Sequence, residues 1–314
     1  MSFTFLRAKR RASNARALLN WGPLFIFLGA MLWATDAPFR VALLKDASPS
    51  LVVLCEHLLN AALLFPLLVA RRKEVLSMSR QEWAAVGIIA VGGSAIATFA
   101  FTSAFAYVNP SVAILLQKLQ PIIVILLAYL FLGERMGKRF WPWALLALAS
   151  AYVLSFPSFI PRLYEGETLN PNVIGVSFAL LAAALWGAST VCGRRALRRL
   201  DVVTLTGLRF VIAFVFLFVW TASTGELASI VTLTLRDWIL LAIVACASGS
   251  VSLLLYYRGL KSTKASVATL AELGFPLASV LINFLFLDAA LLPAQIIAMI
   301  FLLLSVLMLS REHM

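Results

Sequence analysis

The chain alternates long apolar runs with short polar joins, and most of the runs carry no polar stripe. A helix of a water-soluble protein keeps a polar outer face, so runs without one read as membrane crossings. At about 20 apolar residues per crossing, the pattern predicts ten spans: 21–44, 50–70, 83–106, 109–132, 140–156, 173–196, 202–221, 237–258, 265–287 and 293–310. The joins are short enough that most neighbouring spans should form antiparallel hairpins. Two of them, Tyr107–Pro110 and Gly133–Arg139, rest on turn residues and charge rather than on a long polar gap. The basic start followed by Trp21–Ala34 imitates a signal peptide. That run continues to about Leu44 and nine more follow it, so an uncleaved first span is expected.

Composition fits the pattern. Hydrophobic residues make up 62% of the chain and charged ones 13%, against about 45–50% and about 25% in soluble domains; the mean hydropathy is +0.96. A net charge of +12 would suggest nucleic acid in a soluble protein, but here the cations sit in clusters between spans, where they orient a membrane protein. Twenty of the 26 lysines and arginines fall on one face, in the clusters Arg7–Arg16, Arg71–Arg80, Arg135–Arg139, Arg194–Arg199 and Arg258–Lys264 and at Arg311. The other face holds Arg40, Lys45, Arg162 and Arg236, while Lys118 and Arg209 lie inside spans. Both termini are therefore expected in the cytoplasm of a cell with this protein in its inner membrane, and no nucleic-acid partner is expected. Cys55, Cys192 and Cys246 all lie in apolar runs and form neither a disulfide framework nor a zinc motif.

The sequence repeats itself. Ser79-x-x-Glu82-Trp83 recurs as Thr234-x-x-Asp237-Trp238, a helix-capping pattern followed by an interfacial aromatic. Ser111-Val112-Ala113 recurs as Ser266-Val267-Ala268, Pro121 as Pro276, Phe131-Leu132 as Phe286-Leu287 and Ser155 as Ser310, and Gly22 to Leu32-Trp33 recurs as Gly175 to Leu185-Trp186. Two five-span halves, 21–156 and 173–310, result, flanked by a basic segment 1–20, an external linker 157–172 and a tail 311–314. An odd number of spans per half makes the second copy enter the membrane from the opposite side. The loop charges agree: Lys45 stands alone where its counterpart loop has four arginines. Inverted repeats are a common plan of secondary transporters.

Leu119 to Gly137 (LQPIIVILLAYLFLGERMG), the following ALLALASAYVLS and the Gly-to-Leu-Trp first span resemble the EamA repeat of the drug/metabolite transporter superfamily. The resemblance covers residues 21–310, twice. It departs in the second copy, where Asp288-Ala289-Ala290 replace Gly133-Glu134-Arg135, so Glu134 has no symmetric counterpart. It implies an all-α membrane protein of ten transmembrane helices in two inverted repeats, a metabolite carrier, with amino-acid exporters of the YddG type among the bacterial members it resembles.

No enzyme motif is present: there is no HExxH, no GxSxG and no phosphate-binding glycine loop. Neither an enzyme activity nor a cofactor is expected. Ionisable residues inside spans are costly and mark candidate sites; here they are Asp36, Glu56, His57, Lys118, Arg209 and Glu272. Counting at 1.5 Å per residue places Glu56, His57 and Lys118 about 10 Å below the outer surface, and Arg209 and Glu272 about as deep from the cytoplasmic side. The repeat sets Gln117 against Glu272 and His57 against Arg209. These groups either work as a gate or proton-coupling machinery, with Arg209 and Glu272 approaching each other when the inner side closes, or act as static pairs between helices. Asp36 has Arg40 one turn away as a local partner.

Trp33 and Trp186 fall near the midplane and either sandwich a flat substrate or pack as bulky core residues. Gly92-Gly93-Ser94 and Ala247-Ser248-Gly249-Ser250 permit close helix contact or provide hinges. Phe3 to Leu19 suits either an interfacial helix or a disordered basic tail. The sequence thus predicts a carrier of small organic metabolites by alternating access in a lipid bilayer. Amino acids, including aromatic ones, are the expected substrate. The alternatives are a nucleotide-sugar or phosphorylated-metabolite carrier, or a membrane-embedded enzyme or lipid-handling protein. Trp33, Trp186, Gln117 and His57 are expected in the substrate cavity, and Arg209, Glu272, Glu56 and Lys118 at a gate or coupling site; proton coupling, direction of flux and oligomeric state stay open.

Overall fold

The computed structural model describes residues 21–120, 122–123, 126–127, 140–160, 162–166, 168–263 and 271–312. The basic N-terminal segment, the Gly133-Glu134-Arg135 motif and Ser266-Val267-Ala268 lie outside these residues. The helices are α1 (Gly22–Leu43), α2 (Pro49–Ala70), α3 (Arg80–Ala104), α4 (Pro110–Gln117), α5 (Phe140–Ser155), α6 (Pro171–Ala196), α7 (Val202–Ser223), α8 (Leu235–Ser262), α9 (Gly274–Leu287) and α10 (Pro293–Glu312). Among the described residues six of them, α1, α2, α3, α6, α7 and α8, are long and apolar enough to cross a membrane. Their outward faces expose Leu63, Phe65, Val219 and Ile239, as lipid contact requires. Between α5 and α6 a small hairpin pairs β1 (Tyr164–Glu165) with β2 (Thr168–Leu169).

The starts of these helices follow from their sequences. Ser48, Asn109 and Asn170 each cap a helix whose first residue is proline, a position where proline's missing N–H costs nothing. Ser79 with Glu82 and Thr234 with Asp237 both close full capping boxes, so the repeated motif does in each half what its spacing predicts.

The interiors depart from ten unbroken spans. α1 is interrupted at Thr35, whose hydroxyl donates to the Leu32 carbonyl at 2.8 Å. Pro38 has no N–H for the Ala34 carbonyl, which loosens the turn there. α4 ends after eight residues in a turn at Lys118 and Leu119. Glu272 and Leu273 form the corresponding turn before α9 resumes at Gly274. Beside these breaks the carbonyls of Gln117 and Glu272 lie four residues ahead of a proline, Pro121 and Pro276, which has no amide hydrogen to offer them. The two glycine-serine stretches form π-helical segments, Ile88–Ile96 within α3 and Val244–Val251 within α8.

Packing is pairwise and repeats between the halves: α1 packs on α8 and α6 on α3, α2 on α7, α4 on α9, and α5 on α10. Small residues set the spacing. A Cβ on Gly259 would come within 2.5 Å of the Gly22 carbonyl oxygen, and one on Gly93 within 2.3 Å of Ser189 Cβ. Close helix contact is therefore one role of these glycines.

The loop contacts sort into two ends of the bundle. Arg71 pairs with Asp201 at 2.9 Å and Arg199 with Glu82 at 3.8 Å. Away from them, Arg236 lies 4.0 Å from Asp46 and Ser48 donates to Glu226 at 2.5 Å.

Candidate functional site

A cavity opens between the halves, lined by residues of α1, α2, α3, α4, α6, α7 and α8 and by the break before α9. Its volume of about 140 Å³ is room for roughly ten waters at about 10–15 Å³ each. Its walls combine Trp33, Phe101, Trp186, Phe210 and Phe275 with the polar groups of three buried clusters.

The first cluster joins the two helix breaks. Lys118 Nζ lies 3.8 Å from Glu272 Oε2 and 4.7 Å from the centre of the Phe275 ring. The Tyr256 hydroxyl faces Glu272 and Thr190. Trp33 stands edge-on to Phe275 at 6.5 Å and tilted against Tyr256 at 5.1 Å. Trp186 is braced separately by Phe101, 5.0 Å between ring centres. Below it, Gln120 Nε2 donates to Thr190 Oγ1 at 3.0 Å, and that hydroxyl donates to the Trp186 carbonyl. The two tryptophans are thus held by different neighbours and form separate walls.

A second cluster surrounds Arg40. Its Nε donates to Asp36, Nη2 to Glu56 Oε2 at 2.8 Å and Nη1 to the Thr102 hydroxyl at 3.0 Å. Ser248, in the π segment of α8, donates to the free oxygen of Asp36 at 2.7 Å. Two carboxylates thus share one guanidinium in this cluster.

The third cluster is cationic. Arg209 donates to Ser94 Oγ at 3.1 Å, to the Gly93 carbonyl at 2.8 Å and to the Tyr257 hydroxyl at 2.9 Å. Among the described residues it meets no carboxylate. His57 Nε2 shares Ser94 Oγ at 3.0 Å, while its Nδ1 lies 2.8 Å from the Val53 carbonyl. Both partners of Arg209 in α3 belong to the π segment, where a carbonyl freed from the α-pattern can accept from a side chain. At the π segment of α8 the side chain from another helix is Asn60 of α2, which accepts from Ser250 at 2.5 Å.

Every residue singled out from the sequence, Trp33, Trp186, Gln117, His57, Arg209, Glu272, Glu56 and Lys118, lines this one cavity. In this structure Glu272 faces Lys118, and Arg209 is held by Ser94, Gly93 and Tyr257. His57 and Arg209 meet at one serine. One expectation needs correction. Arg40 is buried, 3% exposed, and no outer-loop charge, because two carboxylates draw it inward.

Sequence reasoning passed over Tyr256, Tyr257, Phe275 and Gln120. The adjacent tyrosines in the middle of an apolar run were the available signal, since a buried tyrosine hydroxyl demands a partner.

A helical, multi-pass membrane protein with a polar and aromatic cavity between paired halves, walled at two helix breaks, has the construction of a membrane carrier. The chain belongs to the EamA-like transporter family, whose model matches it twice, at residues 20–156 and 173–311. It is 31% identical to the riboflavin transporter ImpX of Fusobacterium nucleatum subsp. nucleatum over 294 residues, 92% of this chain and 97% of that protein. It is also 21% identical, over 287 residues covering 90% of this chain and 91% of the relative, to an uncharacterized transporter of Clostridium kluyveri. A crystal structure sharing 21% identity superposes with a TM-score of 0.60 over 93% of this chain and 98% of that chain, a likeness of fold. The family and the relatives mark a transporter rather than an enzyme.

Proposed function

We propose that this protein is a secondary carrier of a small, flat heteroaromatic metabolite, with riboflavin as the substrate to test first. It works by alternating access between two five-span repeats of opposite orientation, 21–156 and 173–310, in a cytoplasmic membrane. The observation that carries the reading is the meeting of two pseudo-equivalent helix breaks, at Lys118 and Glu272, inside a cavity walled by Trp33, Trp186 and Phe275. Aromatic walls favour a planar ring system, and the amides and hydroxyls of Gln117, Gln120, Ser94, Thr98 and Ser189 suit a ligand with many polar edges. The relationship to a riboflavin transporter supports the choice. In this reading Trp33, Trp186, Gln117 and His57 contact substrate, while Arg209, Glu272, Glu56 and Lys118 hold or couple the moving halves.

A second reading keeps the amino-acid substrate that the repeat motif implies. Lys118 and Glu272 present one cation and one anion 3.8 Å apart, a match for the carboxylate and ammonium of a zwitterion whose aromatic side chain lies against the walls. A phosphorylated substrate is less well served, since Arg209 is the single cation of the cavity without a carboxylate among the described residues.

Purified protein in liposomes loaded with unlabelled riboflavin should accumulate labelled riboflavin by counterflow, whatever the direction of net flux in the cell. A panel of tryptophan, phenylalanine, glycine and flavin mononucleotide, run with and without a proton gradient, separates the readings. Exchange of tryptophan but not riboflavin would replace the first reading by the second, and exchange of neither would remove both.

A further inference from the structure

Gln117 is the last helical residue of α4, immediately before the turn that carries Lys118 to Glu272, and it lines the cavity. Its Oε1 is buried and has no hydrogen-bond partner among the described residues. The other cavity amide, Gln120, is tied to Thr190 and through it to the backbone at Trp186. One glutamine is therefore a brace, and the other, three residues away on the same side of the chain, holds an unused acceptor. A buried amide oxygen without a donor is unfavourable, and the unfavourable state ends when a donor arrives. Among the described residues no partner holds the Gln117 Oε1, and the terminal torsion of an amide side chain is broad, so it can turn its oxygen and nitrogen toward a ligand in the cavity.

A primary amide presents an acceptor and a donor side by side in one plane. The ring edge that matches it is an N–H next to a C=O, as in the imide edge of a pyrimidine-dione ring. The side chains of phenylalanine and tyrosine have no such edge, and an indole offers an N–H without the carbonyl. Resting on the flavin reading above, we propose that Gln117 is the specificity-determining residue of this carrier. It takes the imide N–H of a flat dione-bearing heteroaromatic on Oε1 and donates from Nε2 to the neighbouring ring carbonyl. The walls then contact the faces of the ring while Gln117 reads its edge. The selected class is ring systems with an unsubstituted imide: flavins, alloxazines and related diones.

The test compares riboflavin with 3-methylriboflavin, in which the imide hydrogen is replaced by methyl, as competitors of labelled riboflavin counterflow. With wild-type protein the methylated compound should compete about tenfold more weakly, the order expected when a buried polar group loses its partner. In Gln117→Leu the two compounds should compete within about twofold of each other, with riboflavin falling to the level of its methylated form. Equal competition on the wild-type protein overturns the role of Gln117 and leaves the flavin reading standing. A preference that survives unchanged in Gln117→Leu overturns it too. If the leucine variant does not insert, Gln117→Met, of similar length and without an amide, takes its place in the same comparison. Absence of riboflavin counterflow by the wild type is a separate result, which removes the flavin reading and this inference together.

Discussion

Lys118 follows a short helix in the first half of the chain and Glu272 precedes one in the second, yet their charged atoms lie 3.8 Å apart in the cavity. The pair is the one salt bridge among the described residues that joins the two helix breaks. It is well shielded, with side chains 8% and 16% exposed, and the Phe275 ring lies against Lys118.

Removing one member of this pair should hurt more than removing both. Lys118→Met or Glu272→Gln alone leaves a shielded charge without its partner, at a cost of about 3 kcal/mol, and should lower the unfolding temperature in detergent. The double variant should recover most of that loss while transport stays low. Independent, additive losses of stability would show that the pair is not coupled.

Trp33 and Trp186 are predicted to act on affinity for planar substrates. Either tryptophan changed to alanine should weaken planar substrates by about fivefold, the equivalent of about 1 kcal/mol of lost ring contact. Small substrates should be affected less, and phenylalanine at the same position should restore most of the effect. Because Trp33 also packs against Tyr256 and Phe275, its alanine variant should lose stability as well, which a melting curve separates from affinity. An equal loss for every substrate at both positions would assign the tryptophans to packing alone.

Spans, capping boxes and internal duplication were legible because each depends on local pattern: apolar length, Ser79 ahead of Glu82, Thr234 ahead of Asp237. The ionisable residues inside spans could be picked out too, since burying a charge in a span is costly enough to mark each one individually. Pairing was not. Whether Glu272 meets Lys118 or Arg209 depends on where the helices stop, and Pro121 and Pro276 act on carbonyls four residues earlier. Arg40 was misplaced for a related reason. A cation near the end of a predicted span reads as a loop charge until Glu56, on another helix, is seen beside it. The π segments at Gly93 and Gly249 were visible as small-residue stretches, but their geometry depends on side chains from other helices, Arg209 and Asn60.

Substitution of the packed glycines should separate side-chain from backbone crowding. Gly93→Ala places a Cβ 2.3 Å from Ser189 Cβ, and overpacking of this kind costs about 1–3 kcal/mol. Adding Ser189→Gly should restore stability, because the obstacle is that side chain. Gly259→Ala should not be rescued by any side-chain change, since one of its obstacles is the Gly22 carbonyl oxygen at 2.5 Å. Rescue of Gly259→Ala by trimming Ile26 would refute the backbone account.

Both termini are proposed to be cytoplasmic because the cation-rich loops are those that stay inside, and contacts between loops bear on that division. Arg71 pairs with Asp201, and Arg199 with Glu82, so the joins after α2 and α6 lie together at one end of the bundle. The joins holding Asp46 and Arg236, and Ser48 and Glu226, meet elsewhere. Single cysteines in a background without Cys55, Cys192 and Cys246 turn this into a measurement. Ser77, Lys261 and Thr168 are all exposed positions, so their labelling reports sidedness rather than burial. In intact cells a membrane-impermeant maleimide should label Thr168→Cys and spare Ser77→Cys and Lys261→Cys, and opening the membrane should make all three react. Labelling of Ser77→Cys from outside, with Thr168→Cys protected, would reverse the orientation while leaving the packing of the two halves intact. Labelling of Ser77→Cys and Lys261→Cys from opposite sides would instead break the inverted-repeat arrangement, because it would put the ends of α2 and α8 across the membrane from each other.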